Sequence, residues 1–269
     1  MIMKKRTYIF AILALGLFAC NKILDVDPTA SIPVENAIST PIGVDRAMAG
    51  AYNALQATGL YGRYSVVLGD LAADNLTWTG TTLDYSQIEN KPTPAENGII
   101  DGFWAASYDG INRVNNILYY LPGITYQDQS AKQQAEGEAL FLRALLHYNL
   151  VQYFGAVPLR EEPTLDLSLI DAPRVEALII YNKLLADLKK AAAQLPSERV
   201  QGKACSFAAK ALMARIYLSM YFDHGNKAYA DSAINEASDV ISNSGCSLDP
   251  DFKNLFGPTG YSSESIFEI

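Results

Sequence analysis

The sequence predicts a mainly all-α protein, in which pairs of helices are joined to a long loop-rich insertion. Apolar residues recur at helical spacing in several long stretches, which indicates helices with one or more buried faces. Glycine and proline follow most of these stretches and mark their ends. Stretches with the alternating pattern of a half-buried strand are few. Together these observations favour a helical fold over a sheet.

The N-terminus has the pattern of a lipoprotein signal peptide over residues 1–19. Positive residues at 4–6 precede an uncharged run at 9–19. That run is shorter than the roughly 20 residues that span a bilayer, but it has the length of a secretory hydrophobic region. A small residue directly before Cys20 predicts that Cys20 is lipidated and becomes the new N-terminus. The alternatives are an ordinary signal peptide with a chance cysteine, or an uncleaved anchor.

Charge and composition limit the classes of partner. Removal of 1–19 takes away three positive charges and no negative ones, so the formal charge changes from −8 to −11. Such an acidic surface argues against a nucleic-acid partner, because that affinity comes largely from Lys and Arg neutralising phosphates. The hydrophobic content of 49% is sufficient for a sizeable core.

The first half of the mature chain alternates between helix and loop. Residues 20–40 carry Pro28 and Pro33, with Pro41 directly after them, and predict an extended tether from the lipid to the fold. Residues 41–57 predict a helix. Residues 58–102 are rich in glycine, proline, threonine and asparagine, and we expect a loop there apart from a short helix near 66–72. A loop of this length in a compact domain is usually functional or disordered.

The second half is predicted to be almost entirely helical. The predicted helices are 103–121, 130–154, 174–195, 206–221 and 229–241. They form two tandem pairs, over 130–195 and 206–242, and the spacing of their small residues resembles tetratricopeptide repeats. Helical hairpins of this kind stack into a solenoid with a partner-binding surface. Residues 265–269 look like the start of a strand without a partner, so we expect that the chain is a fragment or a truncated gene product.

Few residues suggest catalysis or metal binding. His147 lies on an apolar helix and is expected to be a hydrogen-bonded core residue, whereas His224 lies in a turn and is expected to be solvated. Their spacing matches no metal or nucleophile motif, so we predict no catalytic residues, no metal and no cofactor. Arg143 is expected to be buried and paired with Glu138 or another acid.

Three further residues receive structural interpretations. Cys205 and Cys246 are predicted to be unpaired thiols, although an exported protein could oxidise them. Trp104 lies on a helical stripe and is expected to belong to the core.

The loop-rich segment holds the candidate ligand-binding residues. Its aromatic residues offer flat surfaces to the C–H faces of sugars at little entropic cost. Two polar neighbours could bond sugar hydroxyls. The predicted ligand-binding residues are Tyr61, Tyr64, Asp74, Asn75, Trp78 and Tyr85. The structural alternative is that Trp78 pins the loop to the helices.

Several stretches, in order along the chain, also carry a resemblance to a known family. They are Cys20 with Leu24-Asp25 and Pro28, Gly50-Ala51-Tyr52, Asp70 to Asn75, the helix bearing Trp104, Tyr108, Ile111 and Asn115, Gly137-Glu138-Ala139-Leu140-Phe141-Leu142-Arg143-Ala144, Ala208 to Leu218, and Glu264 to Ile269. Taken together, they resemble the N-terminal half of SusD/RagB outer-membrane lipoproteins.

The resemblance implies a SusD-like N-terminal domain over 41–269, with the C-terminal half of the family fold absent from this sequence. It further implies a cell-surface, lipid-anchored protein of the outer membrane that captures an oligosaccharide. The ligand would pass to a SusC-like TonB-dependent transporter, and no bond would be made or broken. A helical-repeat scaffold that binds the transporter but no sugar is the main alternative, and a cell-envelope hydrolase is another.

Overall fold

The computed structural model describes residues 32–73, 75–166, 170–256 and 262–269. The predicted signal peptide, Cys20, Asp74 and most of the predicted tether lie outside the described residues. The chain divides into two units, residues 1–36 and residues 37–269. In the described end of the first unit a single helical turn begins, α1 (Val34–Ala37), inside the segment predicted as extended.

The larger unit is all-α, as the sequence predicts. Its helices are α2 (Pro41–Leu55), α3 (Tyr64–Val66), α4 (Leu83–Asn90), α5 (Gly98–Tyr120), α6 (Gln129–Phe154), α7 (Ala177–Gln194), α8 (Ser206–His224) and α9 (Lys227–Asn243). A π-helical turn, Val67–Leu71, continues α3, and 3-10 turns cover Leu121–Gly123 and Phe252–Phe256. Among the described residues, β-pairing is limited to one isolated bridge between Val157 and Val175.

Two helical features correct the prediction of loop over most of 58–102. α4 lies within it, and α5 begins at Gly98 and not near residue 103. Asn97 supports both features, because its Oδ1 accepts the backbone N–H of Ile99 at 3.0 Å and caps α5. Its Nδ2 donates to Asp84 O and to Gln87 Oε1 on α4, at 3.0 and 2.8 Å. This buried side chain therefore joins α4 to the start of α5.

Helix α6 is the centre of the fold. Every residue from Gly137 to Tyr148 is buried, because α6 contacts α2, α5, α7 and α8. Space for a side chain at Gly137 is tight at the contact with α7. A Cβ at that position would lie 3.1 Å from side-chain atoms of both Gln194 and Leu195.

The predicted tandem of helix pairs is confirmed. α6 packs against α7, α7 against α8, and α8 against α9. Gly225, with φ of 66°, makes the tight turn between α8 and α9, a backbone conformation that L side chains rarely adopt. Both helices of the second pair extend two or three residues beyond the predicted limits. In the described part of the chain, no helix is long and apolar enough to cross a membrane.

Arg143 on α6 is buried and paired, but its partner is Asp187 on α7 and not Glu138. Its Nε and Nη2 lie 3.0 and 2.7 Å from Asp187 Oδ2. Nη1 donates to Glu161 O at 2.9 Å and to Asn115 Oδ1 at 3.3 Å. The guanidinium therefore links two helices to the loop between them.

The start of that loop is held by buried polar side chains. Asn115 Nδ2 donates to the carbonyls of Arg160 and Glu162, both at 3.1 Å. The Arg160 N–H donates to His147 Nε2 at 3.2 Å, so His147 is neutral there and donates from Nδ1 to Arg143 O at 3.0 Å. His147 thus has the predicted role of a hydrogen-bonded core residue. His224 is exposed, as expected.

Candidate functional site

Trp78 and Tyr85 form an aromatic stack at the surface of the loop-rich segment. Their ring centroids are 4.3 Å apart and their planes differ by 17°. Tyr85 lies on α4, and its hydroxyl accepts a hydrogen bond from Arg63 Nη1 at 3.3 Å. Both rings are half-buried against a small cluster of apolar side chains that is separate from the main core. That cluster consists of Val67, Leu71, Ile88 and Ile99.

The loop backbone at Gly80 also packs against the Trp78 ring. A Cβ at Gly80 would lie 2.2 Å from Trp78 Cζ2, so the backbone there approaches the ring closely. Trp78 Nε1 is buried and has no hydrogen-bond partner among the described residues. Trp78 therefore anchors the loop, and the surface it presents is shared with Tyr85.

The polar candidates next to Trp78 lie on the same segment. Asn75 is exposed, and its Nδ2 donates to Asp70 Oδ1 at 3.3 Å. Leu76 between Asn75 and Trp78 is also exposed. The position of Asp74, the remaining polar candidate, lies outside the described residues.

Tyr64 packs against the same apolar cluster as Trp78 and Tyr85, whereas Tyr61 does not. Tyr64 is half-buried, with its ring so near α5 that a Cβ at Gly102 would be 2.7 Å from Tyr64 Cε2. Tyr61 is 37% exposed, and its hydroxyl accepts a hydrogen bond from Asn149 Nδ2 on α6 at 2.7 Å. Burial raises the pKa of Tyr61, while this hydrogen bond opposes the rise.

Tyr61 instead borders a cavity of about 500 Å³ between α6 and α8. Phe141, Arg215 and Phe267 also line this cavity. None of these three was singled out from the sequence as a ligand contact. They are distant in sequence and lie on two helices and a C-terminal segment, so no local motif could have grouped them.

A second cleft, of about 700 Å³, opens between α2, α6 and the turn at 201–203. Tyr52 and Glu138 lie at its wall, and the Tyr52 hydroxyl accepts the Ala204 N–H at 3.0 Å. Burial, followed by the charge of Glu138, raises the pKa of Tyr52 well above its usual range. Tyr52 therefore stays neutral and serves as a packing and hydrogen-bonding residue.

Other predicted roles are resolved by packing. Trp104 is half-buried against the main core, with its ring 5.0 Å from those of Tyr108 and Phe154. Cys205 and Cys246 are free thiols, as predicted. No group of three or more His, Cys, Asp or Glu residues in the described ranges could hold a metal ion.

The helix pairs and the loop-rich segment that carries the aromatic stack together form an all-α helical-repeat fold. Residues 22–218 match the SusD-like family model described as "Starch-binding associating with outer membrane". The chain therefore belongs to the SusD-like family, and the resemblance seen in the sequence is confirmed.

Relatives and solved structures agree with this membership. The chain is 28% identical over 277 aligned residues to SusD-like protein P2 of Formosa agariphila, covering 99% of this chain and 53% of that protein. It is similar in fold to a SusD superfamily protein of Bacteroides vulgatus, with a TM-score of 0.76 and 24% identity. The match covers 85% of this chain and 49% of that one. A second similar structure is surface glycan-binding protein A of Bacteroides thetaiotaomicron in complex with laminarihexaose, with a TM-score of 0.72 and 23% identity. The match covers 85% of this chain and 49% of that one. The chain spans about half the length of these relatives.

Proposed function

We propose that this chain is the glycan-capturing part of a cell-surface lipoprotein and that the Trp78–Tyr85 stack is part of its sugar-binding surface. The stack itself is the observation that carries the proposal, because it presents aromatic area on a loop beside polar groups. Family membership and the laminarihexaose complex of a structural relative support the ligand class.

The rings would act by covering a flat C–H face of a pyranose, while Asp74, Asn75 and Arg63 bond its hydroxyls. Tyr64, which packs against the same apolar cluster, would extend this surface, whereas Tyr61 borders the separate cavity between α6 and α8. An aromatic ring loses little conformational freedom on binding, so such contacts give affinity without large ordering costs. The site holds and orients a ligand, and the proposal includes no catalytic step and no cofactor.

We further propose attachment to the outer membrane through lipid on Cys20, and delivery of the captured oligosaccharide to a SusC-like TonB-dependent transporter. The description of the family model, which places its members in association with the outer membrane, supports the location. Metabolic labelling with a palmitate analogue tests the attachment. Wild-type chain should incorporate label and Cys20→Ala should not.

Titration of the full chain with laminarihexaose and with other oligosaccharides tests ligand capture. Saturable binding that weakens in Trp78→Ala is the expected result. Unchanged affinity in that variant would remove the stack from the site.

One observation favours a second candidate, a protein-interaction scaffold. The last helical pair exposes large apolar side chains, with Phe222 at 75% and Ile241 at 78% exposure. Exposed apolar surface of this kind can bind another protein. Co-purification with a β-barrel transporter, together with flat glycan titrations, would favour this scaffold over the capture function.

A further inference from the structure

The cavity between α6 and α8 combines an apolar floor with an aromatic rim. Phe141, Leu145 and Leu212 form the floor and are buried. Phe267 meets Phe141 edge to face, with ring centroids 5.1 Å apart. Tyr61 is the exposed aromatic residue at the rim. A cavity of about 500 Å³ is within the range of small-ligand pockets.

Arg215 supplies a cationic group at the rim of this cavity. Its guanidinium carbon lies 5.4 Å from the centre of the Tyr148 ring, a cation–π contact that fixes one of its faces. Tyr148 is itself held by a 3.2 Å hydrogen bond with Ser219 Oγ. None of the ion pairs formed by the described residues includes Arg215. Its planar set of N–H donors therefore remains available to an anion.

Arg215 and Tyr61 are the rim groups that can donate hydrogen bonds to an anionic ligand. Glu264 also lines the cavity as an acidic group, and its Oε1 accepts the Asp249 N–H at 2.8 Å. The Tyr61 hydroxyl accepts from Asn149, so its own O–H is free to donate. The Arg215 guanidinium and the Tyr61 hydroxyl are thus two donor groups at the rim, although the net charge of the whole chain is −8.

We propose that this cavity binds an acidic sugar residue of the hexuronic acid class. The carboxylate would accept two hydrogen bonds from Arg215, and the C–H face of the ring would lie against Phe267 and Tyr61. Paired N–H donors match the two oxygens of a carboxylate, and the apolar floor matches a ring face. The proposal rests on the proposed glycan capture and specifies an acidic ligand for it.

Isothermal titration of the full chain with tetragalacturonate and with cellotetraose tests the proposal. Wild-type chain should bind the acidic tetrasaccharide more tightly than the neutral one. Arg215→Gln should weaken the acidic ligand about 10- to 100-fold, since a hydrogen bond to a charged group is lost, and should leave the neutral ligand unchanged. Arg113→Gln is the matched control, because Arg113 is an exposed arginine on α5 that pairs with Asp109.

Equal affinities of wild type and Arg215→Gln for tetragalacturonate would overturn the proposal. Binding of cellotetraose without a preference for the acidic ligand would overturn it while retaining glycan capture. Binding of tetraglutamate in place of tetragalacturonate would assign the cavity to an acidic peptide and also overturn it. Absence of binding to any of several oligosaccharides would instead contradict the proposed function itself. Thermal melts of both variants verify that they fold.

Discussion

Arg143 on α6 and Asp187 on α7 form a buried ion pair, with Arg143 Nη2 2.7 Å from Asp187 Oδ2. The two side chains come from adjacent helices of the first helix pair, and each is less than 10% exposed. Lys183 adds a longer contact to Asp187 Oδ1 at 3.8 Å. Because the same guanidinium also bonds Glu161 O, the pair fixes the start of the 155–176 connection as well as the helix packing.

Removal of one partner of this pair should destabilise the fold strongly. Asp187→Asn leaves the Arg143 charge buried without its counter-ion, and we expect a loss of about 3–5 kcal/mol in the free energy of unfolding. Urea titration followed by circular dichroism measures it. Asp109→Asn, which breaks the exposed pair with Arg113, is the control and should cost less than about 1 kcal/mol. Similar losses in both variants would contradict the structural role of Asp187.

His147 should make stability depend on pH. Burial lowers the pKa of His147 to about 4, whereas an unfolded histidine titrates near 6.5. As pH falls, the unfolded state therefore takes up this proton before the folded state does. The contribution of neutral His147 to the free energy of unfolding is complete above about pH 6.5 and is lost progressively toward pH 4. Between pH 7 and 4.5 this single group should cost about 2–3 kcal/mol.

The test compares unfolding free energies at both pH values for wild type, His147→Gln and His224→Gln. The loss assigned to His147 should disappear in His147→Gln. It should persist in His224→Gln, because His224 is exposed. The same pH dependence in all three proteins would mean that another group is responsible.

Asn97 should contribute more to stability than an ordinary helix cap. Asn97→Ala removes the cap of α5 and also the two hydrogen bonds to α4, so we expect a loss of about 2–3 kcal/mol in the free energy of unfolding. Asn226 caps α9 with a single exposed hydrogen bond to the Ala228 N–H, and Asn226→Ala should cost about 1 kcal/mol. Denaturant titration of both variants checks the difference, and equal losses would show that the link to α4 contributes nothing.

The aromatic stack should carry glycan affinity. Loss of a stacked ring typically costs a binding site about 1–3 kcal/mol, so Trp78→Ala should weaken oligosaccharide binding about 10-fold or more. Tyr119→Ala is the matched control, because Tyr119 is an exposed ring at the end of α5. Affinity gel electrophoresis with immobilised glucan compares the two variants. Retardation equal to wild type in Trp78→Ala would place the ligand elsewhere.

The long helices and their pairing were determined by the sequence alone. Strong 3.6-residue periodicity marked α6 and its neighbours, because burial against other helices requires apolar residues at that spacing. The family resemblance also came from local residues in order along the chain. The α4 helix was missed because it has one buried residue, Ile88, and depends on Asn97 for its support.

The partners of individual side chains were decided by the tertiary structure. The sequence indicated that Arg143 pairs with Glu138 or another acid, and the packing of α6 against α7 supplies Asp187 as that acid. Likewise, the sequence grouped Tyr61 with Trp78 because both lie in one polar segment, whereas packing placed Tyr61 beside Arg215 and Phe267. Local patterns specify which residues must be buried or paired, but long-range contacts depend on how the helices cross, and no spacing in the chain records that geometry.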